Sequence, residues 1–261
     1  MEFLRALRRR SFLSELVYVS LNIALAIVVL VIVRAVESPV PAIALVLLSK
    51  WRIFAVRPRY WLTNIQANLV DLTVSIGAVM LLYSAGTVGS MALTLQVLLT
   101  LAYIAWLVYL KPRSSKRAMI AQACTALIVG TTGLFVISFS WPIELVVLSM
   151  AFVGYVVARH VLTQYEEDHL QFLSLLFAFL LAQLSWLLYH WVIAYTLPVI
   201  DAQIPQTLFI IAAFSFVTYK IYDSYKKHDK VQPAEVVMPI LFSVSIVAVL
   251  VLFFSSIPKG L

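Results

Sequence analysis

Apolar residues run through nine stretches of the chain, approximately 16–33, 40–56, 61–83, 88–110, 118–139, 143–161, 170–195, 206–222 and 236–257, and charges fall almost entirely between them. Each stretch approaches the roughly 20 apolar residues that a helix needs to cross a bilayer core, the second being short. Strands of a membrane barrel would alternate polar and apolar at every second position, and these runs do not. The pattern predicts an all-α fold: a polytopic bundle of nine transmembrane helices. The connections "ESPVP", "SAGTVGS", "SFSWP" and "TLPVIDAQIP" carry the Pro and Gly expected where helices end. None is long enough for an extramembrane domain, so residues 16–258 read as a single transmembrane domain behind a basic segment at 1–15. No internal repeat is visible, which leaves an inverted-repeat architecture unsupported.

Composition agrees with this reading. Hydrophobic residues make up 63% of the chain and charged residues 12%, against roughly 45–50% apolar in soluble domains. The first run is too long for a signal-peptide core and lacks a small-residue cleavage site, so it reads as an uncleaved span. Charge sets the orientation. With a cytoplasmic amino terminus, the basic loops at 50–59, 111–117, 159–169 and 220–230 lie inside with the amino-terminal arginines, and only Arg34 and Lys259 lie outside. That places 17 of the 19 Lys and Arg on one side, as the positive-inside rule requires. Removing the short second span would invert every later loop. The expected placement is therefore the inner (cytoplasmic) membrane, with the carboxyl terminus outside.

The net charge of +7 is accounted for by these loops, and nucleic acid is not expected as a partner. The single cysteine, Cys124, excludes a disulfide framework. The first twelve or so residues, with Phe3, Leu4, Leu7 and Phe12 among four arginines, suit either an orientation signal or an amphipathic helix on an anionic leaflet.

Candidate chemistry concentrates between Lys50 and Ser75. Asn64, Asn68, Asp71 and Ser75 recur at helical spacing, which puts them on one face of the third run. Asp71 lies about ten residues, or roughly 15 Å, into that helix. A carboxylate at such depth costs on the order of 2.5–3.5 kcal/mol by insertion scales, so it should face protein or water and be paired or protonated. Lys50, at the end of the preceding run, is the expected partner: the axial offset across an antiparallel pair is roughly 7 Å, within reach of a lysine stem. Arg52 stands beside it. For the Asn and Arg residues, helix packing and snorkelling are the simpler reading.

Gln183 and His190 share a face of the seventh run among Trp186, Tyr189 and Trp191, in the manner of an interfacial aromatic belt. The inner segment "RHVLTQYEEDHL" gathers His160, Glu166, Glu167, Asp168 and His169. Consecutive acids splay around a helix start and suit its dipole better than a metal. No HExxH or GxS setting is present. No catalytic or metal-ligating residue is assigned, and no cofactor is identified.

The sequence therefore predicts a protein that binds or translocates a small or lipidic molecule. The expected pathway residues are Asp71, Asn68, Asn64, Lys50 and Arg52, with Gln183 and His190, and the expected partners are membrane lipids, a small-molecule ligand or other membrane subunits. The alternatives are a non-catalytic membrane subunit and an intramembrane lipid-acting enzyme.

Overall fold

A computed structural model describes residues 2–55, 57–190, 194–196 and 203–253, the side chains of residues 2–13, Arg52, Ala194, Thr196 and Gln203 excepted. The expectations for the apolar and basic side chains of the amino-terminal segment, for the side chain of Arg52, for Trp191 and for Lys259 fall outside this description. The described protein is 88% helix. Its nine α-helices are α1 (Glu2–Val36), α2 (Pro39–Ser49), α3 (Trp61–Ala85), α4 (Ala92–Ala105), α5 (Lys116–Ile137), α6 (Ile143–Leu162), α7 (Leu170–Tyr189), α8 (Gln206–His228) and α9 (Pro233–Phe253). The described β structure is one antiparallel pair of three-residue strands, Ala194–Thr196 with Gln203–Pro205.

Among the described residues, seven helical segments are long and apolar enough to cross a membrane, which marks a multi-pass membrane protein. They lie in α1, α3, α4, α5, α6, α7 and α9. The surface they present is apolar, with Leu62, Met238 and Leu252 all more than 70% exposed; that suits lipid better than water. The two expected spans outside this set depart from a long apolar helix in different ways. In α8, Lys220, Asp223, Lys226 and Lys227 occupy the second half of the helix. The expected run 40–56 is not one helix: α2 stops after 11 residues, a rise of roughly 16 Å, and a 3₁₀ turn at Trp51–Phe54 follows.

The chain divides within α5 into two compact units, residues 1–122 and 123–261, a division of which the continuous hydropathy gives no sign. In the first unit, α2 starts at Ser38, whose hydroxyl accepts from the Val40 N–H, with Pro39 at the first helical position. The helix then returns along α1. Val29 and Val33 of α1, Ala42 and Val46 of α2, and Val79 and Leu82 of α3 close into one buried cluster. The β-branched side chains have few rotamers to lose, and Ala42 lets the short helix approach closely. A polar clasp borders the cluster: buried Gln96 of α4 donates to the Leu82 carbonyl at 3.0 Å and accepts from Arg34 at 3.3 Å.

The second unit is held by small residues. Ser174, Ala178, Ala182 and Ser185 form a buried seam on α7, and α6 meets it at Gly154. A Cβ on Gly154 would stand 3.1 Å from the Ala178 Cα and 3.2 Å from Leu181 Cδ1. Backbone proximity of this kind is how membrane helices gain van der Waals contact. The Tyr189 hydroxyl donates to the Trp141 carbonyl at 2.7 Å, tying the end of α7 to the turn before α6.

Replacing Gly154 by Val should force α6 and α7 apart and lower stability by about 1–3 kcal/mol, the usual penalty of overpacking, with Ala intermediate. Thermal melts of the purified protein in detergent check this; a Val variant that melts with wild type would mean the seam has slack.

Candidate functional site

Asp71 is the centre of the first unit's polar chemistry. Its side chain is 7% exposed, against 11% for Lys50 and 26% for Lys111. One carboxylate oxygen, Oδ2, receives the Lys50 ammonium and the Lys111 ammonium, the latter at 2.8 Å. The other, Oδ1, accepts the Trp106 indole N–H at 3.4 Å. An ion pair in a low-dielectric interior is tolerable only when geometry is good and the remaining lone pairs are met. Here both oxygens are engaged.

Local structure delivers each partner. Lys50 caps the C-terminus of α2, where a cation is favoured by the helix dipole. Its carbonyl accepts the Ile53 N–H at 2.9 Å, starting the 3₁₀ turn, and the Ile53 carbonyl in turn accepts from the Asn64 amide at 3.4 Å. Asn64 thus occupies backbone that the broken helix leaves open. Asn68 donates to the Asn64 carbonyl within its own helix at 2.8 Å.

Hairpin arithmetic places Trp106. Asp71 lies 14 residues before the end of α3 at Ala85, and Trp106 lies 14 after the start of α4 at Ala92; in antiparallel helices those positions are level. Lys111 follows from a deviation. In an α-helix, residues five apart point about 140° away from each other, so Trp106 and Lys111 would not share a carboxylate. Residues Trp106–Leu110 instead form a π turn, and the Lys111 N–H bonds the Trp106 carbonyl at 2.9 Å. The wider turn brings residue i+5 back over residue i; such π turns recur at functional sites. Buried Gln122 of α5 holds the end of this turn, its amide donating to the carbonyls of Leu110 at 2.7 Å and Arg113 at 2.8 Å and, more weakly, Lys111 at 3.3 Å.

The cluster opens onto a cavity of about 630 Å³. Lys50, Asn64, Asn68, Asp71 and Lys111 form its polar end, and Leu21, Leu25 and Val28 of α1 with Leu45 of α2 form its apolar wall. Behind Asp71, Ser75 of α3 and Tyr103 of α4 are buried neighbours.

The predicted residues therefore separate. Lys50, Asn64, Asn68 and Asp71 are brought together on one cavity. Gln183 and His190 belong to the second unit and are exposed there, His190 packing edge-on against Trp186 at 5.4 Å. Lys111, Trp106 and Gln122 were not foreseen. The equal count from the α3–α4 turn was a usable signal for Trp106; a π turn leaves no such signal for Lys111.

The acid-rich segment before α7 meets α8. Glu167 accepts from the Tyr222 hydroxyl and pairs with Lys226 at 2.6 Å. Asp223 accepts from the Tyr165 hydroxyl at 2.7 Å and pairs with Lys227 at 2.6 Å. The acids thus staple helix ends, and no group of three or more His, Cys, Asp or Glu suited to a metal occurs among the described residues.

No protein-family model, curated protein or solved structure matches the chain.

Replacing Gln122 by Leu removes its bonds to the Leu110, Lys111 and Arg113 carbonyls, of which the Leu110 carbonyl keeps the Arg113 N–H, at a cost of about 1–3 kcal/mol, and should loosen Lys111. Hydrogen exchange across 106–113 should rise in the variant while 61–85 stays protected; unchanged exchange would mean the π turn holds by itself. A pH effect belongs to the second unit. The bonds from Lys226 and Tyr222 hold the Glu167 carboxyl below its ordinary 4.5. A depressed carboxylate contributes stability above its unfolded value and loses it as the pH falls through the folded one. Exchange protection at 165–169 should therefore hold from pH 8 to 5 and fall only below about 4.5; protection already lost above pH 5 would mean that the bonds to Glu167 are not what holds the segment.

Proposed function

We propose that this protein is an inner-membrane protein, amino terminus cytoplasmic and carboxyl terminus outside, that binds or translocates a small or lipidic molecule in the cavity at Asp71. The observation that carries the reading is the break in the second apolar run. α2 ends beside a buried charged cluster, and the 3₁₀ turn that follows contributes Ile53 to the lining of the cavity. Irregular backbone at membrane depth is tolerated where it is buried in protein or lines a water-filled cavity. Discontinuous helices whose ends meet at charged groups are a recurring way of building midplane binding sites.

The nine-crossing topology is part of the proposal. Through the 3₁₀ turn, α2 extends by roughly 8 Å to about 24 Å, so the chain crosses as a short α-helix plus a 3₁₀ turn. The asymmetry of Lys and Arg supports the same count. A dedicated site rather than packing is supported by cost. Replacing a buried ion pair with apolar residues is often neutral or stabilising, so three ionisable groups gathered on a cavity suggest retention for binding.

The test is to extract the protein in native lipid discs and record the intact mass of retained molecules for wild type and for Asn68→Trp, which fills the cavity. Wild type should retain a molecule that the Trp variant releases. Equal retention by the two, or none by either, would overturn the reading.

A further inference from the structure

The charges on the cavity do not balance. Among the described residues lining it, Lys50 and Lys111 are cationic and Asp71 is anionic, and both ammonium groups converge on the single oxygen Oδ2. The second oxygen is held by Trp106, a neutral donor. One positive charge is left over at the polar end of a cavity that Leu21, Leu25, Val28 and Leu45 line on α1 and α2, with Asn22 and Ser49 among them. A surplus charge walled by apolar side chains is costly and is relieved by a counter-ion.

Resting on the binding function proposed above, we infer that the ligand is an amphiphile with one anionic head, and that Asp71 is the resident anion with which that head competes for Lys50 and Lys111. The head takes the lysine donors at the polar end, and the tail lies along the α1 and α2 wall. Lys111, the more exposed of the two, is the first cation the head meets. Asp71 neutralises one ammonium when the cavity is empty and repels the head when it is filled. It sets affinity by opposing it. A wall of leucine and valine does not suit a free inorganic anion, which would gain nothing there.

The sign of one substitution distinguishes this from the ordinary expectation for a binding residue. If Asp71 held the ligand, removing its charge would weaken binding. Under the present assignment, Asp71→Asn keeps the shape, removes the competing anion and strengthens binding of an anionic amphiphile, by between about fivefold at the dielectric of water and about a thousandfold at that of a protein surface for the loss of one like-charge contact. Lys111→Gln should weaken it by a similar factor. The double variant Asp71→Asn/Lys111→Gln keeps the net charge of the wild-type cluster and should return near wild-type affinity. It also serves as the folding control, since it leaves one ammonium rather than two without a partner.

The experiment uses the full chain in nanodiscs, with retention read by native mass spectrometry against added dioleoylphosphatidylglycerol, dioleoylphosphatidylcholine or inorganic phosphate. Expected are retention of phosphatidylglycerol over phosphatidylcholine, an increase in Asp71→Asn, a decrease in Lys111→Gln and a return in the double variant. A decrease in Asp71→Asn with an unchanged melting temperature would overturn the competitor role. Lysine-dependent binding of phosphate, without phosphatidylglycerol, would overturn the amphiphile and assign the anion to a soluble source. Preference for phosphatidylcholine, released by Asn68→Trp, would overturn the inference while leaving the binding function standing. Retention of none of the three probes would overturn the inference, while the binding function stands or falls with the endogenous molecule that Asn68→Trp releases.

Discussion

An ionised carboxylate cannot stand alone in an apolar interior, and the first unit is organised around meeting that constraint at Asp71. Removing one partner of a buried pair costs about 3–5 kcal/mol, because the other charge is left without compensation. The protein meets the requirement through departures from regular helix. α2 terminates so that Lys50 stands at its C-terminal end, and α4 widens into a π turn so that Trp106 and Lys111 reach the same carboxylate. Gln122 and Asn64 then accept the consequences by bonding the backbone carbonyls those departures free.

The two irregularities also make the site accessible. A full-length second helix would fill the space between α1 and α3 with side chains; the early stop leaves a cavity walled by α1 on one side and by the asparagine face of α3 on the other. Charge pairing and cavity formation are thus one structural event. The carboxylate takes two cations because it is buried, and it is reachable because the helix carrying Lys50 does not continue past it.

The second unit handles polarity differently. Within it, α6 and α7 approach through Gly154, Ala178 and their neighbours with little polar chemistry between them. Its charged groups sit at helix ends, where Glu167 and Asp223 each combine one tyrosine hydroxyl with one lysine. The two carboxylates are 10% and 11% exposed, and through them the connection between α6 and α7 is fastened to α8. The contrast explains why similar residue types, acids beside lysines, form a cavity site in one unit and staples in the other.

Helical class, most of the apolar spans and the pairing of Asp71 with Lys50 were legible in the chain, because burial of apolar runs and the cost of an unpaired charge act on local sequence alone. Asn64 and Asn68 were legible as a face for the same reason: helical periodicity needs no knowledge of neighbours. The place where α2 stops, the π turn, Lys111 as second cation and Gln122 as its brace were decided only by tertiary structure. Each depends on which carbonyls and charges face one another across helices distant in sequence. Gln183 and His190 show the limit from the other side, since a shared helical face says nothing of what that face meets. The sequence by itself determined that a buried acid needed a cation; the packing of four helix ends decided that it would receive two, and on which oxygen, because only the assembled backbone fixes where each ammonium can reach.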